Sequence, residues 1–360
     1  MRRTAALIVG GGPAGAAAAI RLAHGGTHAL LVERHAAADA LCGGFVSWRT
    51  IDRIAALGVD PDTLNRERLT RVTIVAGDRH REAALPRPAI GVSRRRLDTL
   101  LRDAATRAGA AIETGVTIRA IDGLTAHVAD GGEIAAPALF LATGKHDLRG
   151  LARPAAARGQ DPTLGIRVRL AADPALYRAL AGRIELHLFD RGYAGIALQE
   201  DGSANVCMAV HRSRLQAAGS PAALLAQLGR DLPRLGDRLA LLAPGQPIDA
   251  IANVPYGWRQ RSGTAGLFRL GDQAGVIPSL AGEGMGIALA SGIAAADAYL
   301  AGGPAAAAAW QRDFARRLAR PMAVAGLVRR LAESRWSAGA LRWLPPGLIQ
   351  IVAHATRMAP

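Results

Sequence analysis

Lysine is nearly missing from this chain. Of its 44 lysines and arginines only Lys145 is a lysine, a bias that, with the abundance of alanine, follows from a GC-rich coding sequence. Cysteine is scarce too, with Cys42 and Cys207 alone. Two thiols make no disulfide framework and neither sits in a zinc-type cluster, so a reducing, cytoplasmic setting without a metal is expected. Aromatic residues make up 4% of the chain, too few for a base-stacking surface, so the net charge of +15 does not imply a nucleic-acid partner. No apolar stretch runs about 18 residues without a charge, which predicts no membrane-spanning helix. What remains is a chain of 360 residues, half of them apolar, long enough to form two lobes.

The informative residues begin at the N-terminus. The apolar run 5–9 reads as a short buried strand bounded by glycine. Gly10, Gly12 and Gly15 follow with GxGxxG spacing. Gly10 permits the tight turn, Gly12 lets backbone approach a pyrophosphate, and Gly15 lets the next helix lie close to the strand. That helix, predicted over 13–23, opens with Pro13 and Ala14 and presents free N–H groups and a positive dipole end to an anion. A second strand over 28–32 ends in Glu33, about 20 residues beyond the turn, where a carboxylate can take both hydroxyls of an adenosine ribose. A signal peptide would also explain Arg2 and Arg3 before an apolar run, but it explains only the hydrophobicity. Strand, glycine turn, helix and acid mark a dinucleotide site. Glu33 implies a free ribose, hence FAD or NAD, with Arg34 the residue that would meet a 2′-phosphate.

Further along, Ser93 is placed to cap a helix with a buried stripe of Leu97, Leu100, Leu101 and Ala104, and Arg94 stands at its entrance, within reach of a phosphate or adenine. A buried strand over 138–141 leads to Gly144 and brings its end near the cofactor. From Gly165 the pattern alternates, predicting strands over 165–170, 184–189, 193–199 and 204–210, then two helical patterns across 213–242. A strand over 267–270 ends at Gly271 and Asp272. Gly282, Gly284 and Gly286 then allow backbone N–H groups to approach a flat polar ring before a buried helix over 287–300. Residues 305–360 read as amphipathic, arginine-rich helices that pack on the body, with peripheral contact at the inner face of a membrane as the alternative.

Together these stretches resemble the FAD-dependent oxidoreductases that include geranylgeranyl reductases and the para-hydroxybenzoate hydroxylase type of aromatic monooxygenase. Gly10, Gly12, Gly15 and Glu33 match that group's first FAD motif, and Arg94, Leu97, Asp98 and Leu101 its Arg-x-x-Leu-Asp-x-x-Leu segment. Gly271 and Asp272 match the second motif, whose aspartate holds the ribityl chain, and Gly282, Gly284 and Met285 the loop facing the flavin. Cys42, Gly43 and Gly44 look like the Cys-Gly-Gly turn of the geranylgeranyl reductase branch, near the flavin. Two departures stand out: Ser279 follows Pro278 where the compact flavin loop has proline, and residues 142–146 replace the hydroxylases' Asp-Gly motif. The implied fold is α/β: a Rossmann-like FAD-binding domain (1–72, 91–160 and 263–304), an inserted antiparallel-sheet substrate domain of α+β type (73–90 and 161–262), and C-terminal helices (305–360).

The resemblance implies hydride transfer from flavin N5 to a C=C of a prenyl- or lipid-like molecule, with Cys42 the candidate acid or positioning group. The alternative is hydroxylation of a phenolic or aromatic lipid through a flavin hydroperoxide, with His146 a candidate for the phenol proton. Both expect an apolar pocket between the lobes touched by Tyr193, Trp258 and Cys42. A non-catalytic FAD electron carrier would not need so large a second lobe. The sequence has no second GxGxxG fingerprint, so NAD(P)H is expected to visit transiently unless a protein reduces the flavin.

Overall fold

The computed structural model describes residues 1–343 and 345–358. Its first sheet is five-stranded and parallel, ordered Leu267–Arg269, Leu139–Leu141, Ala6–Val9, Ala29–Glu33 and Ala111–Thr114. Side chains alternate across it as a two-residue period requires. Ala6 and Ile8 face the helices Pro13–His24, Arg94–Arg107 and Gly284–Gly302, while Leu7 and Val9 face a small sheet carrying Ile118, Ile121, Ala126 and Ile134. Both faces are therefore buried, which explains the near-continuous apolar strands.

The run Gly284–Arg317 bears on the expectation of no membrane-spanning helix. By length and composition it is apolar enough to cross a membrane, with a mean hydropathy of 1.4 over an 18-residue stretch, but half of that stretch is buried inside the protein. Asp297, the charge that interrupted the apolar stretch, pairs with Arg21 at 2.6 Å, and the turn Gly303–Ala306 breaks the run. Small residues let its first part lie against the glycine-turn helix: a Cβ on Gly292 would come within 2.2 Å of the Ala14 carbonyl oxygen. This is a core helix.

The large sheet has eight strands, ordered Asp249–Val254, Thr163–Leu170, Ala204–His211, Gly192–Leu198, Arg183–Phe189, Leu69–Ala76, Arg79–Gly91 and Phe45–Val46. It is not wholly antiparallel. Arg183–Phe189 runs parallel to Leu69–Ala76, because two distant chain segments each bring an antiparallel set and join at that seam. The chain enters this sheet at Leu69 rather than at residue 73, and Phe45–Val46 also pairs into it. Three helices, Arg212–Ala218, Pro221–Asp231 and Pro233–Leu239, replace the two expected, since Pro221 and Pro233 each start a new one.

On Arg183–Phe189 the alternation separates two environments. Ile184, Leu186 and Leu188 face a cavity, while Glu185 and His187 are buried on the other side. Burial alone would raise the Glu185 carboxyl, but hydrogen bonds from His187 (3.2 Å) and the Arg238 guanidinium (3.1 and 3.2 Å) outweigh it and bring it to about 2. The folded value lies below the unfolded one, so this stabilisation is complete above the unfolded pKa and is lost as pH falls toward the folded value. It amounts to about 3 kcal/mol. Glu185→Gln is expected to lower stability at neutral pH and to equal the parent near the bottom of that window, as urea titrations at several pH values would measure.

Candidate functional site

The first glycine turn is shaped by backbone proximity. Gly10 has φ +109°, and a Cβ there would lie 2.5 Å from the Ala142 carbonyl oxygen. A Cβ on Gly15 would lie 1.9 Å from the Gly10 carbonyl oxygen, so the helix touches the turn that precedes it. Both residues support the turn from behind and neither lines the cavity. Glu33 does more than await a ribose. Its carboxylate accepts from the Gly11 N–H (2.6 Å) and the His35 N–H (3.1 Å), bracing the glycine turn and leaving its other lone pairs for a hydroxyl.

Above that turn sits Arg94, partly buried and held in a fork by Asp98 (2.8 and 2.9 Å). Its Nη2 lies 3.1 Å from where a Gly12 Cβ would be, which puts a fixed cation over the helix N-terminus formed by Gly12, Pro13 and Ala14. Burial works against that charge, and Asp98 more than restores it. A helix N-terminus and a partly buried guanidinium converging on bare backbone suit a diphosphate.

Three strand-end loops meet beside it. Gly43, Gly144 and Gly284 line the cavity, and a Cβ on any of them would meet nothing within 4 Å, so bare backbone faces open space. The Cys42 carbonyl accepts from Asn205 of the large sheet at 2.8 Å, tying the Cys-Gly-Gly turn to the second lobe. Gln273 clamps residues 143–146 with bonds to the Thr143 hydroxyl and the Gly144 and His146 carbonyls (2.9–3.1 Å). Gly271, which donates to the Ser291 hydroxyl at 2.8 Å, delivers Asp272 to the wall. There Asp272 pairs with Lys145 at 3.1 Å and raises its ammonium above the usual lysine range. Gly282 (φ +63°) and Met285 complete the wall opposite. These groups fit FAD: a cradle for its diphosphate, an aspartate for its ribityl chain and a glycine-lined face for its ring. Asp272→Ala is expected to weaken FAD affinity about tenfold to a hundredfold with little change in Tm; flavin titration and thermal melts would measure both.

The cavity has a volume of about 460 Å³, within the range of small-molecule sites. Beyond the glycines it becomes aliphatic, running between the sheet face of Val72, Ile74 and Leu186 and the C-terminal Val328, Leu341 and Val352. Tyr193 lines it as expected, and Trp258 does not. Trp258 lies under the Arg153 guanidinium, 5.6 Å from ring centre, because its backbone pairs with Val276 and turns it away. Tyr256, two residues earlier, takes the place at the wall. Tyr193 and Tyr256 both hydrogen-bond to Ser279, the residue that departs from the family pattern. Burial raises both phenols, so each O–H stays protonated. Cys42 and Cys207 both line the cavity, and burial pushes the Cys207 thiol up to about 12, which leaves it inert. His146 and Arg34 stay outside it and bond to each other at 2.9 Å; burial, then Arg34, lowers the His146 pKa. Among the described residues no cluster of side chains is arranged to hold a metal ion.

Comparison with known proteins bears on the cofactor. Residues 3–150 match the FAD binding domain family. A chloroplastic geranylgeranyl diphosphate reductase of Nicotiana tabacum is 32% identical over 117 residues, 31% of this chain; the match spans about a quarter (24%) of that protein. The structure of a flavoprotein/dehydrogenase from Cytophaga hutchinsonii superposes with a TM-score of 0.78 at 15% identity, covering 99% of this chain and 92% of that one. A probable FAD-dependent monooxygenase from Pseudomonas aeruginosa gives 0.72 at 16% identity, covering 95% and 100%. A flavin-dependent brominase gives 0.71 at 16%, covering 97% and 92%. At such identities these structures show the fold alone. Residues 3–150 therefore match an FAD-binding domain, and the chain as a whole has the fold of these flavoprotein structures.

Proposed function

We propose that the protein reduces a carbon–carbon double bond of a hydrophobic, prenyl- or lipid-like molecule. The observation that carries this reading is the cavity itself, which continues from the glycine-lined wall into an aliphatic channel. FAD held at that wall by these residues would supply the hydride. The chain's residues do the rest. Arg94 and the first helix N-terminus hold the diphosphate, the sheet face orients an alkyl chain, and the apolar lining excludes water. Cys42 and the protonated Tyr193 and Tyr256 line the wall where a proton would be delivered to carbon. NAD(P)H is the proposed electron donor, visiting transiently.

The Lys145, Tyr256, Ser279 and Tyr193 corner favours a second reading. An ammonium and three hydroxyls in an aliphatic cavity suit an ionised phenol, as in hydroxylation of a phenolic lipid. Anaerobic reduction of the holoprotein followed by two challenges separates the readings. Reoxidation by a polyprenyl alkene without oxygen supports reduction. Hydroxylated product that appears only with oxygen and a phenolic lipid overturns it in favour of hydroxylation. Failure to take up FAD would overturn both. In the first case Cys42→Ala is expected to slow alkene-dependent reoxidation by about a hundredfold; an unchanged rate would leave Cys42 a wall residue.

A further inference from the structure

The cavity reaches the surface through the C-terminal helices. On those helices three of its lining residues are solvent-exposed, one on each: Leu331 on Ala319–Ala332, Ala340 on Ser337–Arg342 and Leu348 on Pro346–Ala355. Each has a large exposed apolar side chain one turn away. Leu327 precedes Leu331 by four residues, Trp336 and Trp343 flank Ala340, and Ile351 follows Leu348 by three. That spacing puts each on the same helical face as its mouth residue. The two tryptophans are 69% and 78% exposed, an extent that water alone does not favour.

The rim around this mouth is basic. Residues 319–358 hold one acid, Glu333, buried and paired with Arg329 at 2.8 Å; of the other arginines Arg357 is buried against Glu283, and Arg320, Arg330, Arg335 and Arg342 are exposed. Exposed Arg335 and Arg342 lie over the rings of Trp336 and Trp343, at 4.9 and 5.2 Å. Arg79 and Arg81 of the adjoining strand reach the carbonyls of Ala338 and Arg342 beside the same helix; Arg79 also pairs with Asp78 at 4.0 Å, so Arg81 carries the added positive charge. A second copy of the chain would bring an equally basic face against this one. An anionic bilayer would not.

We infer that this rim docks on an anionic phospholipid surface, with Trp336 and Trp343 at the level of the headgroups, so that a long-chain substrate enters the cavity from lipid rather than through water. The inference rests on the cavity being a site for such a chain. Sedimentation of the holoprotein with phosphatidylcholine vesicles, with and without phosphatidylglycerol, tests it. Binding is expected only with phosphatidylglycerol, falling steeply as salt rises from about 0.1 M to about 1 M. The double variant Trp336→Ser with Trp343→Ser, outside the cavity, is expected to bind about tenfold more weakly, with FAD content and Tm unchanged. No binding to anionic vesicles, equal binding by the variant, or a dimer that the two substitutions dissolve would overturn the docking. The two readings fail separately. Turnover of detergent-dispersed alkene without vesicle binding removes only the docking; vesicle binding with no reaction of alkene or phenolic lipid removes only the proposed chemistry.

Discussion

Gly15→Ala is expected to yield a protein without FAD. The added methyl would lie 1.9 Å from the Gly10 carbonyl oxygen and 3.2 Å from Ile8 Cγ2. The first contact is with backbone that cannot step aside, because Gly10 donates to the Val32 carbonyl at 2.9 Å and abuts Ala142. Helix and strand must part, at a cost of about 3 kcal/mol or more. Gly12 provides the contrast. A Cβ there meets side-chain tips alone, Arg94 at 3.1 Å and Asp98 at 4.0 Å, and no backbone, so the fold tolerates it while the approach of a diphosphate is crowded. Gly12→Val is therefore expected to melt near the parent temperature yet retain no flavin. Flavin absorbance and thermal unfolding of the two variants check this, and an FAD-replete Gly12→Val protein would remove the turn from the cofactor site.

Glu283→Ala is expected to destabilise the protein by about 3–5 kcal/mol. Glu283 is wholly buried between Gly282 and Gly284 and lies 3.3 Å from Arg357 Nε and 3.8 Å from Arg53 Nη1, while the Ser47 hydroxyl donates to it at 3.1 Å. Removing the carboxylate leaves the buried Arg357 guanidinium without its counter-charge. Arg357 also donates to the Ala281 carbonyl and stacks over Trp48, so one interaction fastens both the glycine loop and the end of the chain. Urea unfolding should show the loss, and limited proteolysis should cut the C-terminal helices first. Unchanged protection there would mean that the loop alone depends on Glu283. Glu283→Gln, which keeps shape and a hydrogen-bond acceptor but not the charge, should fall between.

The difference between the two cases marks what a sequence can show. Gly10, Gly12, Gly15 and Glu33 lie within one strand–turn–helix–strand unit, where spacing along the chain is spacing in space. Asp272 and Gly282 announced themselves the same way, each at a strand or helix end. Glu283 carried no such signal, because its partners Ser47, Arg53 and Arg357 come from opposite ends of the chain. Trp258 and Tyr256 show the same limit at close range. Both are aromatic residues in one return segment, and only the pairing of residue 258 with Val276 decides which reaches the cavity.

Lys145 was visible as an oddity, the one lysine among arginines, but composition has no direction in space. Its place in the cavity follows from Gln273 clamping its loop and from Asp272 arriving on a strand that is 120 or more residues distant in sequence yet adjacent in the sheet. By itself the sequence determined the cofactor turn, the α/β class and the alternation of the second lobe, since these depend on local sterics and on period. Tertiary structure alone decided the cavity's reach and its mouth. Both form where the sheet face meets helices from the far end of the chain, and such contacts depend on which surfaces are left to bury once each lobe has folded.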